Sequence, residues 1–257
     1  MEPSHVLNAR QQKILDAINT SGSADIRDFS GMYPVSEATI RRDFDALARL
    51  GLVDRVHGGA VRVRSTALEH HHSEKMTLML REKKRIAAYA ASLVKNGESL
   101  FLDSGTTANF IAQELTGHKN LVIVTNNLDI VRSVSFDPSV SLIVTGGVLR
   151  DQYSALVGDI TEQVIHSFHV DKAFMGCDAV DPEGGVYNSN YAAVGVKKCI
   201  AHCGKMTILA ADSSKFCANA LAKICDLQAL DMIITDRGLE EKTVRILKKH
   251  VPNTICV

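Results

Sequence analysis

The chain has 257 residues, with 29 Lys plus Arg against 29 Asp plus Glu, 46% apolar residues, six Cys and no Trp. That length and apolar fraction allow a sizeable core in one large domain or two unequal ones, and they exclude disordered, collagen-like and disulfide-scaffold classes. No run approaches the ~18 apolar residues of a membrane span, and Met1-Glu2-Pro3-Ser4-His5 lacks a basic stretch followed by an apolar one, so a cytosolic protein with no membrane partner is expected.

A net charge of zero speaks against nucleic acid as a partner, because phosphates call for Lys and Arg. Residues 1–85, however, hold 14 Lys plus Arg against 11 Asp plus Glu, while the remainder holds 15 against 18. The zero is a cancellation between a mildly basic N-terminal part and a mildly acidic C-terminal one.

Leu7, Ile14, Leu15 and Ile18 share one face of a helix expected from Asn8 to Thr20, where Ser21-Gly22-Ser23 stops it. A short second helix, Asp25 to Met32, buries Ile26 and Phe29, and Tyr33-Pro34-Val35 breaks it. Ser36 then caps a third helix whose first turn carries Glu37, favourable at a helix N-terminus. Ile40, Phe44 and Leu47 form its apolar stripe, extended by Leu50 and stopped by Gly51. Its other face offers Ala38, Thr39, Arg41 and Arg42. Three short helices in this order place the N-terminal residues of the third against base edges in a DNA major groove. Two strand-like runs, Leu52 to Val56 and Ala60 to Arg64, joined through His57-Gly58-Gly59, then read as a wing. Its Arg55, His57, Arg62 and Arg64 suit phosphates or the minor groove.

Val35-Ser36-x-x-Thr39-Ile40-Arg41-Arg42-Asp43-Phe44, followed by Leu47, Gly51, Arg55 and His57-Gly58-Gly59-Ala60, resembles the DNA-binding signature of the DeoR family of bacterial transcriptional regulators. Phe44 stands where leucine is usual in that family, and Pro34 is unusual before the Val-Ser pair. The DNA-facing candidates are therefore Ser36, Ala38, Thr39, Arg41, Arg42, Arg55, His57, Gly58, Gly59 and Arg62.

Residues 65–75 lack apolar periodicity and read as a linker; His70-His71-His72 within it is better explained as polar linker than as a metal site. A winged helix-turn-helix domain over 1–64 and a larger α/β domain over 76–257 are thus expected. A long helix from Thr77 to Lys95 opens the second. Strands at Ser99 to Leu102, Leu121 to Val124, Ser141 to Val144, Lys172 to Met175, Met206 to Ala210 and Met232 to Thr235 then alternate with helical stretches, which predicts a mostly parallel sheet covered on both faces.

Ligands gather at the carboxyl ends of such strands. There stand Asp103-Ser104-Gly105-Thr106-Thr107, an anion cradle at a helix start, then Thr125-Asn126-Asn127 and Thr145-Gly146-Gly147. Asp171, Gly176-Cys177-Asp178 and Asp212-Ser213-Ser214-Lys215 follow, with Lys215 as a cation for a phosphorylated or carboxylated ligand. The effector-site candidates are Asp103, Ser104, Gly105, Thr106, Thr107, Asn126, Gly146, Gly147, Asp178 and Lys215. These elements resemble the DeoR sensor domain, similar in fold to sugar-phosphate isomerases, and the resemblance implies a phosphorylated sugar as effector. It also implies a repressor of carbohydrate catabolism that leaves operator DNA when the effector binds. The family commonly reads Thr-x-Asn-Glu-x-Glu-Ala where this chain has Asn188-Ser189-Asn190-Tyr191-Ala192-Ala193, so two carboxylates are missing there.

The competing reading is a sugar-phosphate isomerase with an appended DNA-binding module, for which Asp103, Asp178 and Asp212 are available bases. An activator built from the same parts is a third. The six cysteines, all beyond residue 176, show no C-x-x-C spacing and read as reduced, mostly buried thiols. No cofactor, metal or catalytic residue is expected. Shifting a two-state equilibrium from 1:99 to 99:1 needs about 5.5 kcal/mol, beyond a single site's ~1 to 3 kcal/mol, so a homo-oligomer, dimer or tetramer, is expected.

Overall fold

The computed structural model describes residues 7–49, 52–56, 58–62 and 72–257, and the chain divides into two compact units, Met1–Ser65 and Thr66–Val257. Among the positions singled out above, Leu50, Gly51, His57, Arg64 and residues 65–71 lie outside the described residues. So do the side chains of Arg62, His72 and Cys217.

In the first unit, α1 (Ala9–Ser21) starts where Asn8 accepts from Arg10 N and Gln11 N while the Gln11 side chain reaches back, and it ends at Gly22 with φ 85°. After β1 (Ser23–Asp25), Asp25 caps α2 (Ile26–Ser30) through a 2.8 Å bond from Arg27 N. Ser36 Oγ accepts from Thr39 N at 3.3 Å at the start of α3 (Glu37–Arg49). The strands β2 (Val53–Val56) and β3 (Gly59–Arg62) pair antiparallel, and β1 adds to β3, so the expected hairpin is a three-stranded sheet. Two Gly positions make this possible. Gly58 turns at φ 81°, and a Cβ on Gly59 would collide with the Ala24 carbonyl across the β1–β3 pairing. Ile14, Ile18, Ile26, Phe29, Ile40, Phe44 and Leu47 form the core, and the rings of Phe29 and Phe44 meet edge-on at 6.0 Å.

The second unit opens with α4 (His72–Thr77) and α5 (Leu80–Ser92), where one long helix was expected. The break is at Met79, at φ 52°. Lys83 Nζ takes the carbonyls of Lys75 and Leu78, at 2.5 and 2.7 Å, which a continuous helix would give to its own amides. Then follow β4 (Ser99–Leu102), α6 (Thr106–Glu114), β5 (Val122–Thr125), α7 (Leu128–Ser133), β6 (Ser141–Val144), the hairpin β7 (Val148–Arg150) and β8 (Ala155–Val157), and α8 (Asp159–His166). The chain continues through β9 (Val170–Met175), β10 (Ala179–Asp181), β11 (Gly185–Asn188), α9 (Tyr191–Ile200), β12 (Gly204–Ala210) and β13 (Ala222–Cys225). It closes with β14 (Met232–Thr235), α10 (Glu241–His250) and β15 (Thr254–Cys256).

Seven strands form one parallel sheet in the order β15-β14-β12-β9-β4-β5-β6. Alternation along the strands sends side chains to two separate cores. Leu100, Leu102 and Phe174 pack with Ile86 of α5 and Ile111 of α6, while Phe101, Ala173 and Met175 pack with Ile165 of α8 and Val196 of α9. All six expected strands are present. The seventh, β15, and the antiparallel pieces β7-β8 and β10-β11-β13 were not anticipated, being three or four residues long with no clear alternation. No helix among the described residues is long and apolar enough to cross a membrane.

Candidate functional site

On the first unit, the open face of α3 carries exposed Ser36, Glu37, Ala38, Arg41 and Arg42, with Thr39 half-buried. The Ser36 and Thr39 hydroxyls lie 3.0 Å apart, and Arg41 donates to Glu37 at 2.6 Å in a pair open to solvent. The next residue, Asp43, turns inward. It is buried, pairs with Arg10 Nε and accepts from Gln11 Nε2 at 3.2 Å, fixing α1 on α3. Arg55 behaves differently from the phosphate contact expected of it. Its Nε sits 2.8 Å from Asp45, its other arm donates to the Gly59 carbonyl, and its guanidinium lies 5.6 Å from the centre of the Phe44 ring. Arg55 thus braces the wing against α3.

In the second unit, a cleft of about 710 Å³, mouth included, opens at the carboxyl ends of β4, β9 and β12. One wall is the turn from β4 into α6, where Gly105 at φ 117° lets Ser104, Thr106 and Thr107 present hydroxyls and the first amides of α6. Asp103 lies fully buried beneath this wall. Its carboxylate pairs with Lys197 of α9 and accepts from Ser104 N at 2.7 Å and Gly176 N at 3.0 Å, so one group ties the ends of β4 and β9 to α9. Lys197 also donates to the Gly176 carbonyl at 2.9 Å.

The lining holds five cationic side chains, Lys75, Lys83, Arg150, Lys197 and Lys215, against two carboxylates, Asp178 and Asp212. Burial would push the Asp178 carboxyl up, but Lys75, 2.8 Å away, and Lys215 hold it well below the usual carboxylate range. Asp178 also accepts from Ser189 N at 3.0 Å and, with the Asn188 side-chain amide turned so that its nitrogen faces the carboxylate, from that nitrogen at 3.1 Å. Burial lowers the Lys83 ammonium to about 8 despite the pull of Asp212. Arg150 stacks 4.3 Å from the centre of the Tyr153 ring, with Lys75 5.5 Å from the same ring, so the β7–β8 hairpin forms a second wall. Burial pushes the Cys177 thiol up to about 12, which makes it a small neutral lining group rather than a nucleophile.

The DeoR-like helix-turn-helix domain pattern matches residues 10–66, and the DeoR C terminal sensor domain pattern matches residues 79–237. The chain belongs to the DeoR family. It is 35% identical over 239 residues to the HTH-type transcriptional regulator YulB of Bacillus subtilis, covering 93% of this chain and 92% of the relative. It is also 35% identical over 241 residues to the glycerol-3-phosphate regulon repressor of Haemophilus influenzae, covering 94% and 93%. The ribose 5-phosphate isomerase of Plasmodium falciparum superposes on 54% of each chain at a TM-score of 0.39 and 18% identity, too slight a likeness to bear on mechanism. This DeoR-family chain is a DNA-binding transcriptional regulator and not an enzyme.

Of the residues singled out from sequence in this regulator, Ser104, Gly105, Thr106, Thr107, Asp178 and Lys215 line the cleft, and Asp103 underlies it. Asn126, Gly146 and Gly147 are not among the lining residues. Asn126 is buried with its amide donating to the Leu156 carbonyl of β8 at 3.1 Å, and Thr161 of α8 bonds the Gly146 carbonyl at 2.7 Å and lies against Gly147. The β7–β8 hairpin and α8 therefore cover those two strand ends. Asp171 lies at the amino end of β9, away from the cleft. There Lys205 at 2.8 Å, together with Ser99, holds its carboxyl below the usual range. In the segment that departs from the family pattern, Asn188 and Ala193 line the cleft, whereas Tyr191 is 78% exposed. Sequence reasoning missed Lys75, Lys83, Arg150, Tyr153 and Lys197. Lys75 fell in the expected linker, Lys83 and Lys197 sit inside α5 and α9 rather than at strand ends, and Arg150 and Tyr153 belong to the β7–β8 hairpin, which was not anticipated.

Among the described residues no group of His, Cys, Asp and Glu is arranged to hold a metal ion. Cys199 and Cys203 are buried, and both thiols are pushed up by burial.

Proposed function

We propose that this regulator acts in the cytoplasm as the repressor of a carbohydrate-use operon and is released from double-stranded operator DNA by a phosphorylated sugar. The observation that carries the effector half is the cleft itself: a helix N-terminal cradle within a lining of five cations and two carboxylates. The amides and hydroxyls of Ser104–Thr107 suit a phosphate, with Lys197 and Lys215 as counter-charges. Asp178, Asn188 and Asp212 suit the hydroxyls of a sugar. Glycerol-3-phosphate in the name of one relative agrees with this chemistry.

Ser36, Ala38, Thr39, Arg41 and Arg42 on α3 read or hold DNA, Gly58 and Gly59 shape the turn of the wing, and the sequence pattern adds His57 and Arg62 as DNA contacts. We assign DNA reading to residues 1–64 and sensing to 76–257 extended back through α4, with the chain between them as connector. The coupling arithmetic given above favours a homo-oligomer pooling several pockets, measurable by light scattering.

A thermal-shift screen of phosphorylated sugars tests the proposal. A ligand at 100 times its Kd stabilises the fold by about 2.7 kcal/mol. Phosphorylated sugars should stabilise the chain and their unphosphorylated counterparts should not, and the stabilising compound should release operator DNA. Stabilisation by none of them would refute the effector assignment.

A further inference from the structure

Lys75 differs from the other cleft cations in its place along the chain. It belongs to α4, the first described element after the nine residues 63–71 that follow β3. Its Nζ bonds Asp178 Oδ1 at 2.8 Å, with side chains only 15% and 11% exposed, and its carbonyl accepts from Lys83 Nζ at 2.5 Å. Met76 beside it packs on the apolar cluster containing Ile86 and Ile111. Thus the contacts that hold α4 include an apolar anchor at Met76 and the polar links to Asp178 and Lys83, and the side chains making these links line the cleft.

Resting on the reading of the cleft as a phosphate site, we infer that Lys75 senses the ligand by exchanging Asp178 for its phosphate, so that occupancy of the cleft acts on α4 and on the chain leading to the DNA-reading unit. A phosphate offers three acceptor oxygens and up to two charges where Asp178 offers one charge. Its cradle lies at the start of α6, the helix against which α4 packs, so the exchange needs only a local swing of Lys75. A phosphate in the cleft also repels Asp178, weakening the Lys75–Asp178 bridge. Asp178 is not stranded by the exchange, because Lys215 also faces it and Ser189 N still donates to it. The two arrangements therefore differ in their contacts with the ligand, as any ligand-driven shift requires.

The test uses the full chain and inorganic phosphate, with chloride at matched ionic strength as control. Thermal unfolding reads binding, and hydrogen–deuterium exchange with mass spectrometry reads the amides of residues 72–77. Phosphate should stabilise the wild type and change its exchange over 72–77. Lys75→Gln should bind about fivefold more weakly or worse and show no such change. Lys75→Arg, which keeps the charge, should recover both responses. If phosphate stabilises the wild type but leaves 72–77 unaltered, or if Lys75→Gln responds like wild type, the role of Lys75 is overturned and the reading of the cleft stands. If phosphate stabilises neither chain, the reading of the cleft falls and the coupling with it. Should Lys75→Gln melt well below wild type in phosphate-free buffer, Asp178→Asn takes its place. That variant releases Lys75 in advance, and its exchange over 72–77 without phosphate should match the phosphate-bound wild type; a match to the free wild type overturns the role.

Discussion

In the DNA-reading unit Arg41 stands 61% exposed beside a half-exposed Glu37, whereas in the sensor unit Lys197 is 7% exposed against a fully buried Asp103. The first pair costs little to form and little to separate, because water screens both charges. The second has left water altogether, and its attraction has to offset a desolvation cost of several kcal/mol per ion. The difference fits what we propose each unit meets. DNA brings a phosphate backbone to the protein surface, so the arginines that meet it stay hydrated until contact. A small anion has to be drawn into a cleft, so counter-charges such as Lys197 are held in place beforehand by buried partners.

The largest test of this contrast is Lys197→Met. It leaves the Asp103 carboxylate buried without its counter-charge, with Ser104 N and Gly176 N still donating to it. Breaking one partner of a buried pair costs about 3 to 5 kcal/mol, which should appear as a lowered urea midpoint of the sensor unit with an unchanged slope. A loss under about 1 kcal/mol would show that this pair behaves like a surface one, and the contrast would fail. Next in size is Arg42→Ala on the exposed face of α3. Operator binding should weaken by about 1 to 3 kcal/mol if Arg42 reads a base, or more evenly across sequences if it holds a phosphate, with thermal stability unmoved in either case. Fluorescence anisotropy on operator and scrambled duplexes separates the two, and unchanged affinity for both would remove Arg42 from the interface.

These two residues also mark where the sequence could be read and where it could not. The face of α3 was legible because a 3.6-residue period with Ile40, Phe44 and Leu47 inside leaves Arg41 and Arg42 outside by geometry alone. The parallel strands were legible for a similar reason: β4, β5 and β9 are short runs of mostly apolar side chains, as burial on both faces requires. The cleft was half legible. Ser104–Thr107, Asp178 and Lys215 follow strand ends, where the rule for open sheets looks for ligands. Lys75, Lys83 and Lys197 sit inside α4, α5 and α9, and only the packing of those helices brings them to one place. Asn126 and Gly147 satisfy the same strand-end rule and miss the cleft, because the chain after β6 folds back as β7 and β8 and covers them. Arg55 shows the converse error: an arginine in a wing looks outward from sequence, and only the proximity of Asp45, Gly59 and Phe44 turns it in.

A pH series sharpens the sensor side. Burial lowers the Lys83 ammonium to about 8, below the ordinary value of 10.5, so between those values the folded chain holds fewer protons than the unfolded one. Stability therefore gains from Lys83 as pH rises through this window, and the cost of its buried charge is fully present below about pH 8. Anion binding reverses the preference, since a bound phosphate favours the charged ammonium. Ligand affinity should be level from pH 7 to about 8 and then fall by up to about tenfold per unit above it as binding takes up a proton. Asp178, held far below neutrality, contributes nothing in that range. Calorimetry in buffers of different ionisation enthalpy counts the proton directly. Affinity that stays level to pH 9.5 would place Lys83 outside the ligand's field.

The smallest expected effect tests the surface side alone. Glu37 and Arg41 form an exposed i,i+4 pair, worth about 0.3 to 0.5 kcal/mol, and Glu37 adds a comparable interaction with the start of α3. Glu37→Gln should thus lower the stability of the DNA-reading unit by less than about 1 kcal/mol. Its effect on DNA should have the opposite sign, because removing one negative charge from the docking face frees Arg41 for a phosphate. Affinity for a non-operator duplex should rise a few-fold, with the slope of log K against log salt steeper by about one. A carboxylate at this position has one way to be useful on DNA, which is to accept from a cytosine amino group in the major groove. If Glu37→Gln binds the scrambled duplex more tightly but the operator more weakly, Glu37 reads a base, and the solvated pair on α3 is itself a poised contact that opens only on the correct sequence.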